Sequence, residues 1–279
     1  MPAGSVTEVV GPPGMGKTQL CLQAALLTAL PESLGGRASA VVYFDTENKF
    51  SAERMLEMAS HRAGLHDLTP LADRVIVTTT RSAAELTDRL RQLSSAVIDR
   101  GVRLVVVDSI ASHMRADFGP ESVAQRQALL AEQAGLLKRL ADSFRVPVLV
   151  TNQITVASRG AATHGVPGPA GAPGGNGESD GESDGAGAGA VGGGRMVAAL
   201  GPLWAHAVNT RIALLARHGR RWAELCKSPC CPNVAVPYKV GPEGVSPDPG
   251  AQPEYVPAGS VLELPMDDEA RQLAGHAMH

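Results

Sequence analysis

Gly11 to Thr18 read Gly-Pro-Pro-Gly-Met-Gly-Lys-Thr, a complete G-x-x-x-x-G-K-[ST] phosphate-binding loop. Each residue type has a mechanical task. Gly11, Gly14 and Gly16, with Pro12, Pro13 and Met15 between them, let the backbone close around a polyphosphate with its N–H groups turned inward. Lys17 brings a point charge to the β- and γ-phosphates, Thr18 offers a hydroxyl to Mg²⁺, and Gln19 follows at the helix start. Hydrolysis of the bound nucleotide would need three further groups. Asp108 ends the apolar run Leu104-Val105-Val106-Val107, where a carboxylate suits the magnesium, reached through water. Glu47, in Asp45-Thr46-Glu47, is the candidate that orients or deprotonates the attacking water. Gln153, in Thr151-Asn152-Gln153, carries an amide that can report on the γ-phosphate. The plainer alternatives are a strand-end cap for Asp108 and a solvated loop for Glu47.

The surrounding pattern predicts the elements that hold these residues. Ser5 to Val10 reads as a strand and Gln19 to Leu30 as a helix, so the helix N-terminus faces the phosphates. Ala40 to Asp45 and Arg103 to Asp108 are continuous apolar runs ending in aspartate, the mark of strands buried on both faces. Val75 to Thr79, Val146 to Thr151 and Val208 to Leu215 read as further strands, and Pro237 to Val240 as a last one. Helices are expected at Ser51–Ala63, with Ser51 as N-cap, at Ala83–Arg100 and at Gln125–Phe144. Leu86, Leu90, Leu93 and Val97 recur at helical spacing in the second. This alternation predicts an α/β fold, a mostly parallel central sheet with helices on both faces.

Composition narrows the classes. The chain of 279 residues is 44% hydrophobic but only 3% aromatic, so its core must be built from aliphatic side chains. Its net charge of −3 supplies no overall field for nucleic acid or an anionic membrane, so any DNA contact must come from local basic loops. No apolar run approaches the roughly 18 residues of a membrane span, and no signal peptide is expected. Cys21, Cys226, Cys230 and Cys231 lack metal-ligand spacing and read as reduced intracellular thiols. The histidines show no ligand spacing either. Trp204 and Trp222 read as packing residues rather than base-stacking platforms. Fourteen of the thirty-five residues from Gly160 to Gly194 are glycine, with Gly-Glu-Ser-Asp in tandem from Gly177. This composition predicts a disordered insert at 159–194. The Pro-rich, then acidic segment 245–279 is expected to be a disordered tail.

The motifs together resemble the eukaryotic RecA-like recombinases. The resemblance is carried by Ser5-Val6-Thr7-Glu8, Lys17-Thr18-Gln19, Tyr43-Phe44-Asp45-Thr46-Glu47, Ala52-Glu53-Arg54-Met55, Val106-Val107-Asp108-Ser109 and Val150-Thr151-Asn152-Gln153-Ile154. They run in order from about Gly4 to Gly244. Leu200-Gly201-Pro202-Leu203-Trp204, Val208-Asn209-Thr210-Arg211 and Lys227-Ser228-Pro229 look more like a paralogue, of the B type, than the strand-exchange recombinase.

The resemblance implies a RecA-type P-loop NTPase core over residues 1–244 that takes ATP and Mg²⁺. It implies that Arg54 stacks on the adenine, that Glu47 is the catalytic carboxylate with Lys17, and that Gln153 relays the γ-phosphate state to DNA loops. Those loops map to about Arg115–Arg126 and Thr155–Gly194, with Arg115, Arg126, Arg159 and Arg195 as their basic residues. Lys227 to Pro232 would lie against the ATP of a neighbouring subunit. The implied partners are other recombinase paralogues, the strand-exchange recombinase and single-stranded or branched DNA in the nucleus, with no membrane.

Three departures qualify the likeness. Met1 lies ten residues before the loop, so the family's helical N-terminal domain is expected to be absent. The first DNA loop carries Pro120 and Glu121, and phosphate contacts need Lys or Arg, so DNA binding should be weak. The second loop holds four acidic residues in its repeat. Two readings stand: a weak, DNA-stimulated ATPase in homologous-recombination repair, or a non-catalytic, ATP-bound assembly subunit. A RecA-fold ATPase outside recombination is a more distant third.

Overall fold

A computed structural model describes residues 1–157, 195–198 and 200–256. The expected insert at 159–194, with Arg159, lies outside the described residues, as does 257–279. Six α-helices are found among the described residues: α1 (Lys17–Ala29), α2 (Ala52–Ala63), α3 (Ala83–Asp99), α4 (Ala111–Ala116), α5 (Val123–Phe144) and α6 (Gly201–Ala207). The strands are β1 (Val6–Gly11), β2 (Ala40–Asp45), β3 (Val75–Thr79), β4 (Val102–Asp108), β5 (Val148–Ala157), β6 (Arg195–Ala198), β7 (Thr210–Arg217), β8 (Arg220–Lys227), β9 (Val234–Gly241), β10 (Gly244–Pro247) and β11 (Glu254–Tyr255).

The main sheet runs β3-β2-β4-β5-β1-β7-β8-β9-β10, with β6 on β5 and β11 on β9. It is parallel from β3 to β7 and antiparallel from β7 to β10. The parallel half has two dry faces, which is why its strands read as unbroken apolar runs. Val105 and Val107 face a core with Leu86, Leu90 and Leu137 of α3 and α5. Leu104 and Val106 face the other way, toward Leu22, Leu26 and Met58 of α1 and α2. Local capping agrees with the pattern. The Ser51 hydroxyl accepts from Arg54 N–H, and the Ser82 hydroxyl from Glu85 N–H.

Register sets the site. Gly11 pairs with Gln153 and Asp45 pairs with Asp108. The C-terminal ends of four parallel strands therefore finish together, where helix N-termini and loops converge.

One buried charge ties this half to the rest. Glu8 of β1 has no solvent exposure. Its carboxylate accepts from Asn152 Nδ2 of β5 at 2.7 Å, Trp204 Nε1 of α6 at 2.7 Å and Arg211 Nε of β7 at 2.6 Å. Trp204 is thus a packing residue with its N–H satisfied, and Trp222 is buried as well.

The structure corrects the expectation for the segment after 244. Residues 245–256 are folded, not a disordered tail. β10 and β11 both pair with β9, and Asp248 N–H donates to the Pro237 carbonyl. Arg62 of α2 donates to the carbonyls of Glu243 and Val245, and Gln23 accepts from Val245 N–H. Proline is tolerated on an edge strand, so Pro-rich composition did not preclude pairing. β8 was also missed. It returns from β7 through a two-residue turn in which His218 and Gly219 both have positive φ, 50° and 69°.

Removing the Glu8 carboxylate leaves Arg211 charged and largely buried. Glu8→Ala is expected to cost about 3–5 kcal/mol. Urea unfolding of variant and parent measures this, and a loss below about 1 kcal/mol would mean that the network carries little stability.

Candidate functional site

The loop Gly11–Gly16 joins β1 to α1, and its shape depends on two glycines. Gly16 takes φ 95° as it opens α1, and a Cβ there would sit 3.1 Å from Val240 Cγ2. A Cβ on Gly11 would lie 2.6 Å from the Leu214 carbonyl oxygen. The strand and the loop can approach their neighbours this closely only without side chains.

Gly16, Lys17, Thr18, Glu47, Asp108 and Gln153 line one cavity of about 330 Å³. Pro13, Gly14 and Gln19 also border it. A larger apolar cleft, about 500 Å³ between α2 and β3, is lined by Phe50, Met55, Leu71 and Val75 and lacks such a convergence of charge. Met15 behaves differently from the rest of its loop. Its side chain is buried in the core and its carbonyl accepts from the Tyr238 hydroxyl.

Lys17 Nζ donates to the carbonyls of Gly11 at 2.7 Å and Pro12 at 2.9 Å. Burial pushes its pKa down to about 8, against the pull of Asp108 and Glu47, which favour the charged form. Asp108 is almost fully buried. It accepts from the Tyr43 hydroxyl at 2.9 Å and from the Thr151 hydroxyl. Burial and the neighbouring Asp108 raise the Tyr43 pKa far above its ordinary value, so Tyr43 stays a donor. Thr46 stitches the ends of β2 and β4. Its hydroxyl donates to the Ser109 carbonyl and accepts from Ser109 N–H.

Glu47 is held on every side. Oε1 accepts from Ser109 Oγ at 2.6 Å and Gln153 Nε2 at 3.1 Å, while Oε2 lies 2.6 Å from Lys49 Nζ. Burial raises its pKa, but the hydrogen bonds from Lys49, Ser109 and Gln153, with the Lys49 charge, more than offset that. The net shift is below the ordinary carboxylate value. Gln153 is itself held: its N–H donates to Asn152 Oδ1, and its Oε1 accepts from Arg115 Nη1 at 2.6 Å. Arg115 lies in the last turn of α4 and is exposed. A chain of direct contacts therefore runs from Arg115 through Gln153 to Glu47.

The donor set fits a magnesium–nucleotide. A hydroxyl from Thr18 and a carboxylate from Asp108 share the cavity with the Lys17 ammonium. Other candidate residues are placed elsewhere. Arg54 lies outside the cavity lining, its guanidinium bonded to Gln19 Oε1 and to the carbonyls of Gly241 and Pro242. Arg126 is half-buried at the start of α5, and Arg195 opens β6 opposite Ala157. Lys227 Nζ donates to the carbonyls of Ala205 and Val208, and Pro232 is exposed. Sequence reasoning missed Lys49, Ser109 and Tyr43. A tyrosine two positions before a strand-end aspartate was visible, but that it bonds the aspartate of the next strand was not.

The Rad51 family model matches residues 1–177. The chain belongs to the Rad51 family. It is 39% identical to the DNA repair protein RAD51 homolog 2 of Mus musculus over 256 residues, covering 88% of this chain and 70% of that one. Against the Homo sapiens protein of the same name the identity is 36%, covering 87% of this chain and 63% of the relative. The Arabidopsis thaliana counterpart is 32% identical, with 88% and 65% covered. The chain thus spans about two thirds of the length of these relatives. The expected RecA-like α/β core is the fold observed, and the likeness to a paralogue agrees with these relatives. Among the described residues, no helix is long and apolar enough to cross a membrane.

The depressed Lys17 pKa generates a pH prediction. Polyphosphate beside the ammonium would restore its proton affinity. Nucleotide binding at pH 8 should take up about half a proton, falling toward none at pH 6, where Lys17 is already charged. Calorimetry in buffers of different ionisation enthalpy measures the uptake. Buffer-independent heats at pH 8 would remove Lys17 from the phosphate site.

Proposed function

We propose that this chain is an ATP-binding Rad51-family paralogue acting in homologous-recombination DNA repair, with weak ATPase activity, in a nuclear complex with other paralogues. The observation that carries this reading is the contact chain Arg115–Gln153–Glu47 beside the phosphate loop. Lys17 holds the β- and γ-phosphates. Thr18 would bind magnesium directly and Asp108 through water. Bound there, magnesium would neutralise charge on the transferring phosphoryl group. Glu47 orients and deprotonates the water that attacks the γ-phosphorus, with ADP and phosphate as products. Gln153 donates to the γ-phosphate and passes its loss to Arg115, on the first DNA loop. Arg54 offers its guanidinium face to the adenine from the clamp it forms with Gln19 and Gly241.

DNA contact is weak in this reading. Arg115, Arg126, Arg159 and Arg195 are its basic residues, and Glu121 and the acidic repeat oppose them. Lys227 to Pro232 approaches the nucleotide of an adjacent paralogue, which makes subunit contact depend on ATP. The complex helps the strand-exchange recombinase assemble on single-stranded DNA.

The second reading, an ATP-bound assembly subunit with little turnover, is favoured by one observation. Glu47 is saturated with donors, and its basicity is low in this arrangement.

Two variants test the site. Lys17→Ala should abolish ATP binding in a calorimetric titration, and retained affinity would sink the nucleotide assignment. Glu47→Gln should bind ATP and lose turnover by a factor of about 10² or more. Equal phosphate release by variant and parent would support the assembly reading. Co-purification with candidate paralogues, with and without ATP, tests the complex. A stable monomer under both conditions argues against it.

A further inference from the structure

The loop after β2 delivers two opposite charges to the phosphate cavity. Asp45, nearly fully buried, builds it. Its carboxylate accepts the backbone N–H of Glu47 at 3.2 Å, of Lys49 at 3.0 Å and of Phe50 at 2.8 Å. Between them Asn48 turns through φ 54°, a left-handed conformation that asparagine tolerates. The reversal brings Lys49 back beside Glu47, with Nζ 2.6 Å from Oε2. The Lys49 stem is largely exposed, so its ammonium is free to change partners.

Lys49 also lines the cavity that Gly14, Gly16, Lys17 and Thr18 enclose. The two lysines are close enough for the Lys49 charge to disfavour the charged form of Lys17. Lys17 gives two of its three N–H donors to the loop carbonyls of Gly11 and Pro12, whereas Lys49 has a carboxylate as its partner. Any anion entering above the loop competes with that carboxylate for the same ammonium.

We propose that Lys49 is a cation that responds to the terminal phosphate of a nucleoside triphosphate. Without nucleotide its ammonium occupies Glu47. The terminal phosphate draws the ammonium away and releases Glu47 toward the attacking water. A diphosphate ends short of Lys49, and the Lys49–Glu47 pair persists. No covalent bond changes and Lys49 keeps its proton; an ammonium on a flexible stem exchanges one anion for another. Lys49 is therefore a positioning residue for Glu47 and a discriminator of triphosphate from diphosphate. The inference rests on the nucleotide reading of the cavity and adds to it the residue that tells the two nucleotides apart.

A double-mutant cycle tests it. Magnesium complexes of ADP and of a non-hydrolysable ATP analogue are titrated calorimetrically into the parent, Lys49→Ala, Lys49→Arg, Glu47→Gln and the Lys49→Ala/Glu47→Gln double variant. Lys49→Ala should weaken the analogue about fivefold, the scale of a partly exposed ion pair, and leave ADP unchanged. Lys49→Arg should restore the affinity. Glu47→Gln should tighten the analogue by about the same factor, because the ammonium is freed, and the gain should vanish in the double variant. Lys49→Gln, which removes the charge but keeps a polar side chain, serves beside Lys49→Ala, and melting temperatures check that each variant is folded. Equal effects on both nucleotides, or additive effects in the cycle, would overturn the role of Lys49 alone. Failure of the parent to bind either nucleotide would overturn the nucleotide reading and this inference with it.

Discussion

A carboxylate without contact to water lies at the centre of the sheet. Taking Glu8 out of solvent costs several kcal/mol unless donors replace the lost hydration, and three do so: an amide, an indole and a guanidinium. Those donors belong to β5, α6 and β7, so satisfying one charge sets β1 against three other elements. β1 leads into the phosphate loop and β5 leads into Gln153. The pairing of Gly11 with Gln153 thus sits three residues beyond a buried, directional tie. Hydrophobic burial alone would permit strand slippage at a cost in packing; a buried charge with specific donors penalises slippage far more strongly.

The same logic recurs at the ends of the strands, where polar groups are shared rather than free. Asp108 is held by Tyr43 and Thr151, Thr46 bridges to Ser109, and Glu47 takes donors from three residues. In such a site the polar groups already have partners in one another, an arrangement that suits nucleotide binding. It is also restrained, because a carboxylate with all its donors in place is a weak base. The two functional readings therefore differ in whether anything draws donors away from Glu47.

Much of the site was legible because its geometry is local or follows from strand period. The phosphate loop is eight contiguous residues. Asp45 and Asp108 end apolar strands, and a parallel sheet brings such ends to one edge. Other parts were not legible. Lys49 is two positions from Glu47, a spacing that in extended chain sends the side chains the same way but leaves them apart. The Asp45-capped turn at Asn48 brings them into contact. That the Arg54 guanidinium edge is held by Gln19 and the β9–β10 turn was likewise visible only in the fold. Residues 245–256 read as tail because proline content argues against helices and central strands, but not against an edge.

The amino-acid sequence by itself determined the phosphate loop, the parallel strands β1 to β5 and β7 with the helices α1, α2, α3 and α5, the two-faced core and the family. These depend on short-range spacing and on hydrophobic period, which survive in one dimension. The tertiary structure alone decided which donors Glu8 shares, that Arg115 reaches Gln153, that Lys49 neutralises Glu47, and that β10 and β11 complete the sheet. These depend on pairings between residues distant in sequence, or on a turn that reverses the chain. Their energies come from contacts that exist only once the strands are in register.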